Sequence, residues 1–180
     1  MTRLKWILLA ALSLVLIGLG CTLVSGQITL VENYGSDIGS VDGTVNRIAV
    51  DLTDNEDYND HKDEIKSVEA FGFVVEVENL TGGEATGEGY LSLTDLGLTP
   101  SAELLDSVAT KIFSNVALPL AAGETRTVTF EESQDYVQGL DAIDAAVKEG
   151  VFYLYGVTSV PSVRVSYIDF TAIMTLNVEL

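Results

Sequence analysis

Phe71-Gly72-Phe73-Val74-Val75-Glu76-Val77-Glu78-Asn79 is the stretch that decides the fold. Phe71, Phe73, Val75 and Val77 recur at every second residue, while Glu76 and Glu78 fall on the opposite face. A period of two belongs to a strand with one side in a core and the other in water. Leu80-Thr81-Gly82-Gly83-Glu84 then supplies turn residues, and residues 86–94 return with Tyr90, Leu91 and Leu93, which predicts a hairpin.

Outward from this pair the pattern repeats. Residues 27–32 and 44–50 have strand character, separated by a Gly-, Ser- and Asp-rich stretch at 34–43 that predicts a loop. Thr99-Pro100-Ser101-Ala102-Glu103 carries the start signal of a short helical turn, and β-branched residues follow over 107–118. Thr125-Arg126-Thr127-Val128-Thr129-Phe130 is a further strand. Residues 151–158 and 163–180 close the chain. In the last run Ile168, Phe170, Ala172, Met174, Leu176, Val178 and Leu180 alternate, whereas Val163, Val165 and Tyr167 have the opposite phase, which predicts a bulge near Tyr167.

One helix is expected over residues 133–149, capped by Ser133 and ended by Gly150, with Tyr136, Val137, Leu140, Ile143 and Val147 near helical spacing. Gly139 inside it costs about 1 kcal/mol relative to Ala, so that helix needs a sheet to pack on. Together these elements predict a mainly β fold. It is an antiparallel immunoglobulin-like β-sandwich of about seven or eight strands with one inserted α-helix near residues 133–149.

The chain has 180 residues, nine Lys plus Arg against 27 Asp plus Glu, and a formal net charge of −18. That length suits one domain. The acidity excludes sequence-independent DNA or RNA binding, which relies on basic residues to displace counterions from phosphates. A single cysteine, Cys21, leaves the domain without an internal disulfide, so the core must supply the stability.

Arg3 and Lys5 precede an uncharged apolar run over residues 6–19, the layout of an export signal. The junction Gly18-Leu19-Gly20-Cys21 resembles the lipobox of bacterial lipoproteins, with Gly18 standing where that family carries Leu. The resemblance implies that residues 1–20 are removed and that lipidated Cys21 anchors the protein to the cell membrane or outer membrane. Thr22 in place of Asp implies the outer membrane. On this reading residues 21–26 are a tether and residues 27–180 a single extracytoplasmic domain. Two alternatives are cleavage after Gly26, releasing a soluble protein, and retention of residues 6–24 as an uncleaved anchor. Removal of residues 1–20 takes away Arg3 and Lys5 and no acid, so the charge passes from −18 to −20. Such a charge adds self-repulsion that salt or cations relieve.

The phrase over residues 73–79, taken with Leu118-Pro119-Leu120-Ala121-Ala122-Gly123-Glu124 and the strand after it, resembles immunoglobulin-like or CARDB-like adhesion modules of bacterial envelope proteins. It is also similar to the LEA-type stress sandwich. These resemblances imply binding or spacing roles and bring no catalytic residue.

The acidic segment Asp51-Leu52-Thr53-Asp54-Asn55-Glu56-Asp57-Tyr58-Asn59-Asp60-His61-Lys62-Asp63-Glu64 is rich in the oxygen ligands that Ca²⁺ takes. Asp51, Asp54, Asp57 and Asp60 are the calcium candidates, although Glu56 and Lys62 break the EF-hand pattern. The plainer reading is a solvated loop in which Asn59 or Asp60 caps a short helix near 61–66, and a docking patch for a basic partner is the third. His61, the only histidine, would have to serve any Ser-His-Asp device, and no Gly-x-Ser-x-Gly elbow is present. Glu76 with Glu78, or Glu131 with Glu132, are nominal carboxylate pairs better read as solvent-facing residues. Tyr153 and Tyr155, flanking Phe152, form a carbohydrate platform if they face solvent and core residues if they do not. Asn79-Leu80-Thr81 matches a glycosylation sequon.

The expectation is a non-enzymatic cell-envelope lipoprotein, a structural or ligand-binding module that needs no cofactor. Its partners are the membrane, through Cys21, and another envelope protein or a surface polymer. A calcium-dependent adhesion module is the alternative, and a small envelope hydrolase built on His61 the remote one.

Overall fold

Alternating apolar faces of this kind come to rest only when two of them are laid together, and the computed structural model shows two antiparallel four-stranded sheets face to face. It describes residues 24–42, 45–113 and 120–178. The export signal, Cys21 and residues 21–23 of the tether lie outside the described residues.

The strands are β1 (Val24–Asp42), β2 (Val45–Asp51), β3 (Ile65–Asn79), β4 (Gly87–Ser92), β5 (Thr110–Phe113), β6 (Thr125–Val128), β7 (Val151–Thr158) and β8 (Ser162–Val178). The helices are α1 (Glu56–His61), α2 (Ala102–Val108), α3 (Phe130–Gln134) and α4 (Leu140–Glu149), with 3₁₀ turns at Leu52–Asp54 and Lys62–Glu64. One sheet has the order β1-β8-β3-β6 and the other β2-β7-β4-β5. The pairing is nested, first strand with last, second with seventh, third with sixth and fourth with fifth, which is the jelly-roll form of the two-sheet sandwich. In the immunoglobulin order the first two strands share a sheet; here β1 and β2 lie in different sheets.

The same topology corrects the hairpin expected from residues 71–94. β3 pairs with β8 and β6, while β4 pairs with β7 and β5, so the turn at Leu80–Glu84 carries the chain from one sheet to the other. The turn before β8 does the same, and no β7–β8 hairpin forms. Apolar alternation prescribes which face is buried and leaves the partner open.

β1 begins at Val24, inside the expected tether, and continues through the expected loop at 34–43. β8 offers a continuous template for it, and register shifts between Asn33 and Ser36 and between Ser36 and Gly39 absorb the irregular stretch. The bulge expected near Tyr167 is present: Glu76 faces Tyr167 and Val77 faces Val165, with one residue of β8 skipped.

The helix expected over 133–149 is two helices. Thr129, not Ser133, caps α3, its Oγ1 accepting from the Glu132 amide at 3.2 Å. Ser133 is fully buried, donating from Oγ to the Phe130 carbonyl at 2.7 Å and accepting the Phe73 amide at 2.9 Å. It thus supplies β3 with an acceptor beyond the last β6 pairing at Val75. The chain is then drawn to the β5 edge, where Val137 bridges Phe113 and the Gln138 amide donates to the Ile112 carbonyl at 2.8 Å. Gly139, with φ +69°, turns it into α4, and Gly150, with φ +81°, ends α4 as expected. Over 107–118, α2 runs to Val108 and β5 is confined to Thr110–Phe113; residues 114–119 lie outside the described residues.

The two ends of the sandwich differ. At one, Ile143, Ala146 and Val147 of α4 join Leu52, Tyr58, Val50, Phe152 and Met174 in a continuous buried cluster. Each of the valine, leucine, isoleucine, phenylalanine and methionine side chains among them stabilises the fold by roughly 1.5–3 kcal/mol. The middle is filled by four phenylalanines: Phe73 meets Phe113 edge-on at 4.6 Å, and Phe71 stacks on Phe170 at 6.0 Å. Beyond these rings, toward the end formed by the start of β8 and the end of β7, no helix among the described residues enters the core.

Candidate functional site

At that far end a cavity of about 220 Å³ lies between the sheets. One wall is aliphatic: Val75 and Val77 of β3, and Val163, Val165 and Ile168 of β8. The other is built on glycine. Alternation along β4 and β7 turns Leu91 and Leu154 into the core, and the inward positions that continue the pattern are Gly89, Gly87 and Gly156. Gly89 and Gly156 face each other across the two strands, and Gly87 faces Thr158.

These glycines are used differently. At Gly89 an added Cβ would come within 2.1 Å of the Phe113 ring, so this residue is the seat on which that ring rests. At Gly156 an added Cβ would meet no heavy atom within 4 Å, and its φ lies outside the left-handed region. Its lack of a side chain therefore reflects space rather than backbone strain. A second cavity of about 100 Å³ adjoins the first beneath β6 and the Ala85–Leu120 bridge. Val75, Val77, Gly87, Thr158 and Val163 line both.

Asn46 of β2, opposite Gly156 and in phase with Ile48, brings one polar side chain to the first cavity, and Thr86 brings one to the second. The Thr158 hydroxyl donates to the Val160 carbonyl at 2.7 Å. Among the described residues the one buried side-chain polar atom without a partner is Arg47 Nε. Its guanidinium belongs to the outer face of the glycine-bearing sheet, 5.0 Å from the Tyr153 ring centroid and 3.3 Å from Asp95. A site so lined recognises shape and apolar surface rather than charge.

Tyr153 and Tyr155 stand on that outer face under the segment between β4 and β5, so they form no solvent-facing platform. Tyr155 is 1% exposed, and its hydroxyl oxygen accepts the Leu96 amide at 2.8 Å. Across this face Arg47, Tyr155, Tyr90 and Lys111 lie in register on four neighbouring strands. The Lys111 ammonium sits 3.0 Å from Glu88 and 3.7 Å from Asp106. The Tyr90 hydroxyl lies between the same carboxylates, 2.7 Å from Asp106 and 2.9 Å from Glu88. Burial, reinforced by those carboxylates, pushes Tyr90 up to about 12, while the tyrosine and Glu88 hold Lys111 in its charged form.

The acidic segment is a lid over the α4 end of the core. Leu52 and Tyr58 point inward, and the Tyr58 hydroxyl donates to the Val147 carbonyl at 2.9 Å. Asn55, rather than Asn59 or Asp60, caps the short helix, which covers 56–61 instead of 61–66: its Oδ1 accepts the Tyr58 amide at 3.0 Å and its Nδ2 donates to Glu32 at 2.7 Å. Asp51 caps the preceding 3₁₀ turn through the Thr53 amide at 3.0 Å and hydroxyl at 2.6 Å, and that hydroxyl chiefly lowers the Asp51 pKa. Asp54, Asp57 and Asp60 are exposed on successive turns. Among the described residues no three His, Cys, Asp or Glu side chains converge as a metal would require. His61 lies 3.3 Å from Glu64.

One member of each nominated carboxylate pair, and the sequon asparagine, have structural partners. Glu78 pairs with Arg164 at 2.6 Å, and Glu132 with Arg126. Asn79, the sequon residue, is fully buried. Its Nδ2 donates to the Gly83 carbonyl at 2.6 Å and the Leu120 carbonyl at 2.8 Å, and its Oδ1 accepts from the Thr81 amide and hydroxyl. It clamps the β3–β4 turn to the segment entering β6. Cys21 lies outside the described residues. The cavity residues carry one sequence signal, Gly87-Glu88-Gly89 and Gly156 inside strand-like runs, a pattern that marks a bulge or a close approach without saying which.

No protein-family model matches the chain, and no curated protein matches it at a significant level. Solved structures with some likeness include Desmodium yellow mottle tymovirus (6% identity, TM-score 0.34, 87% of this chain and 84% of that one). Cocksfoot mottle virus is similar at 11% identity and a TM-score of 0.37, covering 88% and 96% of the two chains. Latent PorU from Porphyromonas gingivalis is similar at 11% identity and a TM-score of 0.36, over 87% of this chain and 13% of that one. Likeness at that level carries no functional information. Among the described residues no helix is long and apolar enough to cross a membrane.

Proposed function

We propose that this chain is a non-enzymatic, lipid-anchored module of the cell envelope that holds a small apolar molecule between its two sheets. The observation that carries the reading is the intersheet cavity of about 220 Å³, walled by valine and isoleucine and left open at Gly156. An apolar cavity of roughly 150 Å³ is enough to bind benzene. The absence of catalysis in this reading is supported by the fate of the nominated carboxylates, which are spent on ion pairs, caps and solvent. The envelope address rests on Arg3, Lys5, the apolar run at 6–19 and Cys21.

The described end of β1 that follows the anchor in sequence, at Val24, and the cavity belong to opposite ends of the sandwich. Val24, three residues after Cys21, pairs with Val178, whereas Val41 pairs with Val163 in the cavity wall. At ~3.3 Å per residue the two points are separated by roughly 50 Å of strand. A protein held at Cys21 thus presents its cavity away from the bilayer that anchors it.

The test is a fluorescence titration of the purified protein with N-phenyl-1-naphthylamine, a neutral apolar probe, alongside Gly156→Val. Saturable binding that the substitution weakens at least tenfold, with a thermal midpoint no lower than that of the unsubstituted protein, supports the reading. Failure of the probe to bind, or binding indifferent to Gly156→Val, overturns it.

A further inference from the structure

We infer that the ligand is a single unbranched acyl or alkyl chain that runs from the main cavity into the adjoining one, rather than a compact ring system confined to the first. This rests on the reading that the intersheet cavity is a binding site, and it specifies the ligand's chemical class.

Three observations carry it. The two spaces, about 220 and 100 Å³, share five lining residues, so they adjoin along Val77, Val163 and Thr158, the route a ligand filling both would take. Beyond the shared residues the second is bounded by Ala85, Leu120 and Val128, all buried and aliphatic, and by the half-buried Thr86, so it favours what is apolar and narrow. The Thr158 hydroxyl between them is committed to the Val160 carbonyl, and Arg47 Nε, the one unpartnered buried side-chain polar atom among the described residues, belongs to the opposite face of its sheet. Asn46 lines the first cavity and not the second, so beyond it the contact surface is apolar along most of its length, as a polymethylene chain is. With a net charge of −18 on the chain, and −20 without residues 1–20, the protein also favours a neutral or cationic head over a free carboxylate of the same length.

The experiment displaces bound N-phenyl-1-naphthylamine with 1-monoacylglycerols of six to fourteen carbons, in the unsubstituted protein, in Ala85→Leu and in Leu120→Ala. Ala85 and Leu120 line the second cavity and not the first. Affinity should rise about fourfold for each methylene buried and level off once both spaces are full. The plateau should arrive at a shorter chain in Ala85→Leu and at a longer one in Leu120→Ala, while probe affinity stays the same in all three proteins. The two substitutions act in opposite directions, so a general loss of folding cannot mimic the result, and each variant is used only if its thermal transition remains cooperative. A plateau at the same length in all three, or no length dependence while the probe still binds and Gly156→Val still weakens it, overturns the chain and leaves the apolar site standing. Failure of the probe itself overturns the site.

Discussion

Asn79 allows the sharpest test of how this fold is held. Its side chain is 0% exposed, and its amide closes two bonds to main-chain carbonyls, Gly83 at 2.6 Å and Leu120 at 2.8 Å, with the Ala121 carbonyl at 3.2 Å. Oδ1 takes the Thr81 amide at 2.9 Å and hydroxyl at 2.7 Å. Asn79→Ala leaves these groups without that partner. Gly83 and Ala121 lie on exposed residues and can turn to water, and the Leu120 carbonyl keeps the Ala85 amide at 3.1 Å. The loss is then that of about two buried hydrogen bonds, roughly 2–3 kcal/mol. Asn79→Asp is harsher at neutral pH, because a carboxylate oxygen in the place of Nδ2 faces carbonyl oxygens with no proton between them. The expected loss is roughly 3–5 kcal/mol at pH 7. The aspartate pKa is raised in the folded state, so its neutral form is favoured there. Stability of this variant should be highest below the unfolded value near 4, where the single carboxyl proton restores one of the two donated bonds, and should fall as pH rises through the folded one. Urea unfolding of the three proteins at pH 7 and pH 4 reads both effects. A loss under ~0.5 kcal/mol for Asn79→Ala, or an Asn79→Asp penalty that is the same at both pH values, refutes the role assigned to this residue.

Two further outcomes follow from the geometry. Burial raises Tyr90 to about 12 from an ordinary value of 10.0, so its neutral form stabilises the fold fully below pH 10 and that contribution is lost as pH climbs toward 12; Tyr90→Phe should flatten this part of the alkaline stability profile. At Gly150 a Cβ would lie 2.8 Å from the Tyr58 hydroxyl on a backbone with φ +81°, so Gly150→Ala should destabilise by roughly 1–3 kcal/mol, and pairing it with Tyr58→Phe should return part of that loss in a double-mutant cycle read by thermal unfolding.

Local pattern settled more of the scaffold than of the site. Period-two alternation in residues 71–79 and 168–178, with the phase change near Tyr167, determined by itself that this chain builds antiparallel strands with one buried face. Gly150 marked the end of α4 because only glycine adopts that backbone cheaply. Such features involve residues close in sequence, where steric and hydrophobic preference act directly. The nested order of the strands was decided only in the folded molecule, since a buried face does not name the strand beside it. The division of residues 133–149 into two helices arose in the same way: Ser133 and Val137 had distant partners in β3 and β5 that outweighed helical continuity. The cavity is the extreme case. It exists because Gly156 and Gly87 meet Val75, Val77 and Val163 from the other sheet across a space that no helix among the described residues enters, whereas α4 closes the opposite end. A cavity is a relation between two surfaces, and those surfaces meet only after the chain has crossed repeatedly between the sheets.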